Sequence, residues 1–344
     1  MIGVTSGVLA LGLLAATYFG LQPVQKSFSD ITANAQLIQM TDKEGVRLNI
    51  TYQNQWNTYD RIPLYEMPEL LKAAFIQSED RRFYEHHGID WRARFSAVWQ
   101  NIRSFHHVRG ASTISEQTVR LINRRSRTLW SRWLEGFEAQ QLERISNKTE
   151  IFEFYLNQVP YAANRRGVAQ AARYYFDREI STLSPKEMLI LAILVRSPSQ
   201  YDLYKYPDKI EKHIMRLVAV LKETGAISEQ TLISIQKEKT TTSRPSLPVD
   251  ARHFARFVRL NTPQTQNSFY RTSLDSNLQQ QVQDIIDHRL LSLSKKNVHN
   301  AAALVADYTT GEILAWVVGG VGNKKLKTPA LEIDTVTSPR QPGS

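Results

Sequence analysis

The chain has 344 residues, of which 42% are hydrophobic and 22% charged, a balance typical of a globular protein rather than of a disordered one. It contains no cysteine, so disulfides, thiolate metal sites and a cysteine nucleophile are excluded. The net charge of +10 favours an anionic partner, and nucleic acid, anionic lipid headgroups and phosphorylated substrates all remain candidates on charge alone.

The N-terminus is an uncharged and mostly apolar run from Ile2 to Val24. About 20 such residues are enough to cross the ~30 Å of a bilayer's hydrocarbon, so we expect a transmembrane anchor over residues 1–25. A cleaved signal peptide is the alternative, because Ala15 and Ala16 are small. The run is nevertheless longer than the usual core of about 7 to 15 residues, and no basic leader precedes it.

A short β-rich connecting segment is expected over residues 26–59, where polar and apolar residues alternate around a turn at residues 43–45. Helical periodicity then runs from Pro68 to about Glu238. It includes an aromatic and aliphatic stripe that we expect in the core, formed by Trp91, Phe95, Val98, Trp99 and Ile102.

Three helix ends can be predicted from their capping residues. Thr113 with Glu116, and Ser184 with Glu187, have the spacing of capping boxes at helix N-termini. Gly225 is placed to end a helix.

A second domain is expected beyond a polar, proline-bearing stretch at residues 240–248. We assign residues 240–271 to a linker and 272–344 to the second domain. An amphipathic helix is predicted over 274–293, and two strands over 301–318 are joined by a turn at 309–311.

Five segments carry the functional signal, and they follow one another in a fixed order. They have the patterns E-D-x-x-F-x-x-H-x-G, G-x-S-T-I-x-x-Q, R-x-L-W-x-[KR]-x-x-E, I-x-E-x-Y-L-N and R-G-x-x-x-A-A, at Glu79–Gly88, Gly110–Gln117, Arg127–Glu135, Lys148–Asn157 and Arg166–Ala172. One pattern alone is weak, whereas five in order are strong. Together they resemble the family 51 glycosyltransferases, the peptidoglycan-polymerising domain of class A penicillin-binding proteins.

The resemblance covers roughly Asp60 to Pro207 and implies a mainly helical, lysozyme-like glycosyltransferase domain over residues 60–239. In the implied reaction, the 4-hydroxyl of a lipid-linked disaccharide attacks the anomeric carbon of the growing strand. Undecaprenyl pyrophosphate leaves, with inversion. The resemblance makes Glu79 the general base and places Glu135 beside the pyrophosphate, although either carboxylate alone is also typical of a surface ion pair.

The resemblance also assigns cationic and polar side chains to the substrate, chiefly to its pyrophosphate. These candidates are Arg81, Arg82, His86, Ser112, Thr113, Gln117, Arg120, Arg132 and Arg166. The residues of the fourth motif, Glu153, Tyr155 and Asn157, are expected to hold helices together instead.

Several positions depart from the family pattern. Arg132 replaces the usual lysine and Ser131 replaces a frequent arginine, so one expected cation is missing. Glu116 introduces a negative charge that is unfavourable near a pyrophosphate unless it points away, with Arg120 as a compensating cation. Asp177 stands where glycine is usual, which affects a turn rather than the chemistry.

No spacing of metal ligands is visible, and the only cofactor implied is a divalent cation, Mg²⁺ or Mn²⁺, on the substrate pyrophosphate. The implied partners are lipid II, the growing lipid-linked glycan strand, the membrane and other cell-wall synthesis proteins. Nucleic acid is not expected, because the cations lie within the motifs and no recognition module is present. The implied location is the inner membrane, with a single span and the catalytic part on the periplasmic or outer face.

Residues 272–344 resemble the start of a penicillin-binding transpeptidase domain, and residues 338–344 favour the type 1C subgroup. Ser344 then occupies the position of the acylating serine, but the lysine three residues later is absent from the sequence. We therefore expect Ser344 to be inert and the transpeptidase part to be truncated. A lysozyme-like lytic enzyme and a catalytically decayed cell-wall scaffold remain the alternative functions.

Overall fold

A computed structural model describes residues 2–24, 27–33, 39–46, 48, 55–58, 60–104, 111–126, 128–195, 203, 207–239, 251–261, 269–293, 296, 298, 300–320 and 334–339. The chain forms two compact units. The first consists of Met1–Ala35 and Gln55–Pro245, and the second of Gln36–Asn54 and Ser246–Ser344.

The described part of the first unit is helical, and the predicted mainly α class is thereby confirmed. Its helices are α1 Ile2–Gly20, α2 Phe28–Ala33, α3 Glu69–Glu79, α4 Trp91–Ser104, α5 Ile114–Asn123, α6 Leu129–Ile145, α7 Lys148–Gln158, α8 Gly167–Phe176, α9 Pro185–Leu194, α10 Pro207–Glu223 and α11 Glu229–Lys237. Short 3-10 turns lie at Leu64–Glu66, Ala162–Asn164 and Ile180–Thr182.

The core of this unit forms around α9, which is buried from Lys186 to Leu194. A helix that is apolar on every side is stable only when other helices surround it, and α9 packs against α3, α8, α10 and α11. Phe75 of α3 and Phe152 of α7 are fully buried in the same core. Burial of each such side chain stabilises the folded protein by about 1.5 to 3 kcal/mol. This packing fixes α3, at whose C-terminal end Glu79 lies.

The three predicted helix ends are confirmed. Thr113 accepts a hydrogen bond from the Glu116 amide and Ser184 accepts one from the Glu187 amide, both in complete capping boxes. Gly225 follows α10 with φ of 71°. A left-handed residue there lets the next amide reach back to the Leu221 carbonyl, at 2.9 Å.

Two glycines of the motifs are required by close backbone contacts. At Gly167, where φ is 74°, a Cβ atom would lie 2.3 Å from the Asn157 carbonyl oxygen. At Gly88, where φ is 80°, a Cβ would lie 2.5 Å from the Gln140 backbone nitrogen. Both distances are too short for any side chain, so Gly167 lets the start of α8 pack directly against α7, and Gly88 lets its turn pack directly against α6.

The predicted membrane anchor forms helix α1. Among the described helices, none combines the length and the apolarity needed to cross a membrane, so the predicted span is not confirmed. The C-terminal end of α1 is held against α6. Trp133 donates to the Thr17 hydroxyl at 3.0 Å, and Arg125 both donates to the Gly20 carbonyl at 2.7 Å and pairs with the buried Glu138.

The aromatic stripe of α4 was expected in the core, and this prediction is wrong for its three aromatic residues. Trp91, Phe95 and Trp99 are 41%, 71% and 68% exposed. Periodicity identifies which residues share a helix face but not what covers that face, and here no described element does. Val98 and Ile102 have no described side-chain environment.

The described part of the second unit contains α12 Arg252–Asn261, α13 Ser276–Leu293 and four strands: β1 Gln39–Thr41, β2 Phe269–Arg271, β3 Asn300–Ala306 and β4 Ile313–Gly320. The predicted hairpin is confirmed, since β3 and β4 pair antiparallel through a turn at Gly311. The helix predicted over 274–293 is confirmed as α13. It packs on both strands of the hairpin.

The connecting segment and the linker need correction. The turn at residues 43–45 is present, but β1 also pairs in parallel with β2, so the chain enters the second unit at Gln36 and returns to the first unit at Gln55. The linker predicted over 240–271 contains helix α12, whose Phe254 is buried against Trp316. Its apolar residues recur with helical period, a signal that the prolines of 240–248 outweighed. Residues 240–250 lie outside the described part.

Candidate active site

Glu79 is the last residue of α3, and its carboxylate is half-buried. Gln117 of α5 donates from Nε2 to one carboxylate oxygen at 3.0 Å, and the Ser78 hydroxyl lies 3.2 Å from the other. Ser78 also lies 3.3 Å from the Ala192 carbonyl of α9. The structure thus brings together Glu79 and Gln117, which were assigned to different roles on sequence grounds.

Tyr155 of α7 lies behind Gln117 and donates its hydroxyl to the Gln117 Oε1 atom at 3.1 Å. Burial, with a smaller contribution from the Glu79 charge, raises the pKa of Tyr155 well above its ordinary value. The phenol is therefore neutral and remains a hydrogen-bond donor at physiological pH.

A second cluster forms around Arg120, one turn further along α5. Its guanidinium donates to both oxygens of Glu135, at 3.0 Å from Nε and 2.6 Å from Nη2, and Nη2 also lies 3.4 Å from the Ser112 hydroxyl. Burial lowers the pKa of Arg120, but the hydrogen bond and the charge of Glu135 together raise it by more. The net shift of this pKa is therefore upward. Glu135 is only 2% exposed, and its direct role in catalysis stays a prediction.

Two predicted substrate ligands are enclosed in the fold. The His86 side chain is 8% exposed, and its Nε2 atom lies 3.0 Å from Asp80, whose carboxylate also accepts from the Ile114 amide at 3.0 Å. Thr113 is 1% exposed and donates to the Gly88 carbonyl at 2.6 Å while it caps α5. These contacts fix the position of the first motif relative to the N-terminus of α5.

The remaining predicted cations lie in different surroundings. Arg82 is paired with Asp90, which caps α4, so its charge is already matched. Arg81 is exposed and donates to the Gln77 carbonyl at 3.4 Å. Arg132 is exposed on α6.

Arg166 lies half-buried at the N-terminus of α8. Burial, and then the nearby positive charge of Arg124, lower the pKa of its guanidinium. Two cations within electrostatic range of each other favour an anion between or beside them. Arg124 carries no motif signal, and only its position at the end of α5, with φ of 47°, brings it there.

Glu116 is engaged by a cation of the neighbouring helix α4. It is 2% exposed and pairs with Arg94 of α4 at 2.6 Å, so Arg94 rather than Arg120 is its principal partner. Burial raises the pKa of Glu116 to about 7, although Arg94 opposes the shift. Arg94 also donates to the Arg132 carbonyl at 3.3 Å, which ties α4, α5 and α6 together.

Other departures and motif residues have structural roles. Ser131 hydrogen-bonds with Thr128 at the start of α6, and Asp177 ends α8 in the left-handed conformation with φ of 55°. Glu153 accepts from the Leu64 amide at 2.8 Å, and Asn157 accepts from the Ile62 amide at 2.9 Å. The fourth motif thus braces the segment that leads into α3.

Sequence reasoning missed several residues that contact motif residues or lie beside them. Ser78, Arg94 and Arg124 carry no pattern of their own. Tyr155 was identified within its motif and interpreted as structural, because its contact with Gln117 is visible only in three dimensions. Gly110, Arg127 and Ser344 lie outside the described residues.

The described residues offer no group of three or more histidine, cysteine, aspartate or glutamate side chains suited to a metal ion. Glu79 and Glu135 instead accept hydrogen bonds from Gln117 and Arg120. The side chains of this site therefore do not fit a metal held by the protein, and no catalytic step is assigned to one.

Comparison with known proteins identifies the family. Residues 45–224, just over half of the chain, match the family described as Transglycosylase. Penicillin-binding protein 1A of Clostridium perfringens is 28% identical over 92% of this chain and 44% of its own length. Penicillin-binding protein 1B of Haemophilus influenzae is 30% identical over 76% of this chain and 36% of its own length.

The chain spans less than half of the length of these curated relatives. The match to a crystal structure of penicillin-binding protein 1A from Haemophilus influenzae covers 80% of this chain and 32% of the crystallised chain, with 19% sequence identity. Its TM-score of 0.41 is too low to support a structural argument. The type 1C resemblance stays a prediction. The family match covers all five motifs, and the chain therefore belongs to the transglycosylase family and is a homologue of the class A penicillin-binding proteins.

Proposed function

We propose that the protein is a peptidoglycan glycosyltransferase that polymerises lipid II into glycan strands. The observation that carries this proposal is the position of Glu79. It combines a half-buried carboxylate at the end of a rigid helix with a hydrogen bond from Gln117 that holds one oxygen. A general base needs such a fixed direction, because proton transfer requires a heavy-atom distance of about 2.6 to 3.2 Å.

In the proposed reaction, Glu79 takes the proton from the 4-hydroxyl of the acceptor disaccharide. The oxygen then forms its bond to the anomeric carbon of the growing strand from the face opposite the leaving group. The bond from that carbon to undecaprenyl pyrophosphate breaks, so the configuration inverts.

We assign the leaving pyrophosphate to the cluster around Arg120. Its guanidinium is held by Glu135 and lies near the Ser112 hydroxyl at the N-terminal end of α5. Helix N-termini and arginine forks both favour phosphate oxygens. In this proposal Glu135 positions Arg120, and the exposed Arg132 and the half-buried Arg166 supply further positive charge. A divalent cation on the pyrophosphate itself remains a proposal from the family resemblance.

We also propose that the protein acts at a membrane, where a lipid-linked substrate resides. Two helices of the first unit support this. α4 exposes Phe95 and Trp99, and α1 exposes apolar side chains that include Leu11 and Phe19, at 68% and 84%. A contiguous exposed apolar face is typical of a surface that contacts lipid or protein. The single-pass anchor, the inner-membrane location and the outward-facing catalytic part belong to the same proposal.

Replacement of Glu79 by glutamine tests the function. The side chain keeps its shape but cannot accept the proton, so polymerisation of lipid II should fall by about 10² to 10⁴ while the fold is unchanged. Glu85→Gln is the matched control, because Glu85 is an exposed carboxylate in the same motif. Turnover is measured as release of undecaprenyl pyrophosphate in detergent, and folding by circular dichroism.

The same assay separates the alternatives. A lytic enzyme shortens existing strands without releasing lipid pyrophosphate, and a decayed scaffold does neither. Near-normal polymerisation by Glu79→Gln would reject Glu79 as the base.

A further inference from the structure

A hydrogen-bonded chain connects helix α7 to the candidate base through helix α5. Tyr155 donates to the Gln117 Oε1 atom at 3.1 Å, and Gln117 donates from Nε2 to the Glu79 carboxylate at 3.0 Å. Each step joins residues 38 positions apart in the sequence. Three helices that are fixed separately in the core thus meet at one carboxylate.

The donor and the acceptor in each of these two hydrogen bonds follow from the chemistry of the groups. An ionised carboxylate only accepts, so Gln117 must present its NH₂ group to Glu79. Its Oε1 atom then faces Tyr155 and must receive a proton donor. The Tyr155 phenol meets this requirement because it is fully buried and its pKa is raised, first by burial and then by Glu79.

We propose that Tyr155 is a positioning residue that fixes the Gln117 amide, which in turn holds the Glu79 carboxylate in the orientation needed for proton transfer. This inference rests on the proposed function of Glu79 as general base. It gives Tyr155 a role beyond the bracing of helices assigned to the fourth motif. In this proposal the Gln117 amide contacts the base, Glu79, rather than the substrate to which the family resemblance assigned it.

The Tyr155 hydroxyl matters because no other group in the described site donates a hydrogen bond to the Gln117 Oε1 atom. Without it, the Gln117 Oε1 atom would be buried and unsatisfied, and the amide would be able to turn away from Glu79. The Ser78 hydroxyl cannot replace it, because it lies between Glu79 and the Ala192 carbonyl and has a single proton. Tyr155 and Tyr161 both lie within electrostatic range of Glu79, and Asp80 follows it in the chain.

Tyr155→Phe tests the proposal, and Tyr161→Phe is its matched control. Both remove one buried hydroxyl, but Tyr161 donates to the Leu191 carbonyl at 3.1 Å and not to Gln117. The measurements are kcat, KM for lipid II, the pH profile of turnover in detergent, and the melting temperature.

In Tyr155→Phe we expect kcat to fall about tenfold with KM unchanged, since the loss is one of alignment rather than of binding. The acidic limb of the pH profile should move to higher pH by about half a unit to one unit, because a hydrogen bond to a carboxylate favours its charged form. Tyr161→Phe should lose similar thermal stability and keep the wild-type profile.

Gln117→Met provides a second route to the same answer if Tyr155→Phe folds poorly. It removes the donor to Glu79, so it should shift the acidic limb by itself. Adding Tyr155→Phe to it should produce no further shift. Independent, additive effects of the two substitutions, or a Tyr155→Phe profile identical to that of Tyr161→Phe, would overturn the relay.

Glu79→Gln separates failure of the relay from failure of the proposed function. If Glu79→Gln is inactive while Tyr155→Phe keeps the wild-type profile, only the relay is rejected. If Glu79→Gln retains turnover, the relay is rejected together with the assignment of the base.

Discussion

Several charged side chains of the motifs are matched in pairs, and the pairing changes their expected roles. Glu135 accepts a two-pronged hydrogen bond from Arg120 rather than standing alone at the cleft, which favours an indirect effect on the leaving group. Arg82 and His86 are likewise engaged by Asp90 and Asp80. A motif therefore identifies important residues without identifying what each one contacts.

If Glu135 acts through Arg120, Glu135→Gln should lower kcat/KM for lipid II by roughly ten- to a hundredfold, since a charge-assisted contact contributes about 1.5 to 3 kcal/mol. Arg120→Lys should do the same, because lysine cannot form the fork. A double-mutant cycle of polymerisation rates provides the measurement: the double variant should be no worse than either single variant. Multiplicative losses would instead indicate that Glu135 contacts the substrate itself.

At the scale of the helix, the first turn of α5 contains a buried glutamate, Glu116, and its burial disfavours the charged form of the carboxyl group. Burial raises the pKa of Glu116 from its ordinary value of 4.5 to about 7, against the effect of Arg94. Between these values the folded protein binds more protons than the unfolded chain, so its stability falls as pH rises. This contribution to the unfolding free energy is greatest below about pH 4.5 and is lost as the pH rises through about 7, and it amounts to at most ~3 kcal/mol.

Glu116→Gln should therefore flatten the decline of the unfolding free energy between about pH 5 and pH 7, because the amide does not titrate. Urea denaturation at several pH values measures this slope. Glu150→Gln is the matched control: Glu150 occupies the same position in the capping box of α7, but it is exposed. A slope in Glu116→Gln as steep as in the wild type would contradict the prediction.

For the whole molecule, the exposed face of α4 is the main candidate surface for lipid contact. Phe95 and Trp99 are 71% and 68% exposed, so their replacement by serine should leave the fold intact. We expect the double variant to polymerise lipid II normally in detergent and to lose activity and co-sedimentation on anionic vesicles, because each exposed aromatic ring lost removes apolar area that lipid would cover.

Tyr65→Ser serves as the control for this experiment. Tyr65 is 81% exposed in the same unit, but it lies in the 3-10 turn Leu64–Glu66 and not in α4. Wild-type binding to vesicles by the α4 double variant would leave lipid contact to other surfaces. Loss of activity in detergent would instead assign these side chains to the reaction.

The two units also show where sequence patterns lose their predictive value. The β3–β4 hairpin and helix α13 were predictable, because their signals are local alternation, a turn glycine and a helical period. The pairing of β1 with β2 was not, since those strands are separated by more than two hundred residues and each is only three residues long. Helix α12 was missed because prolines before it outweighed its own periodicity.

The sequence by itself determined the family, the mainly helical class and the helix ends at Thr113, Ser184 and Gly225, because these depend on interactions within a few residues or on patterns in fixed order. Only the tertiary structure decided that Gln117 holds Glu79, that Arg120 holds Glu135, that His86 and Thr113 are enclosed and that the α4 aromatics are exposed. The physical reason is that burial and side-chain partnership depend on which elements pack together. Residues 38 positions apart become hydrogen-bonded neighbours only when α3, α5 and α7 share one core.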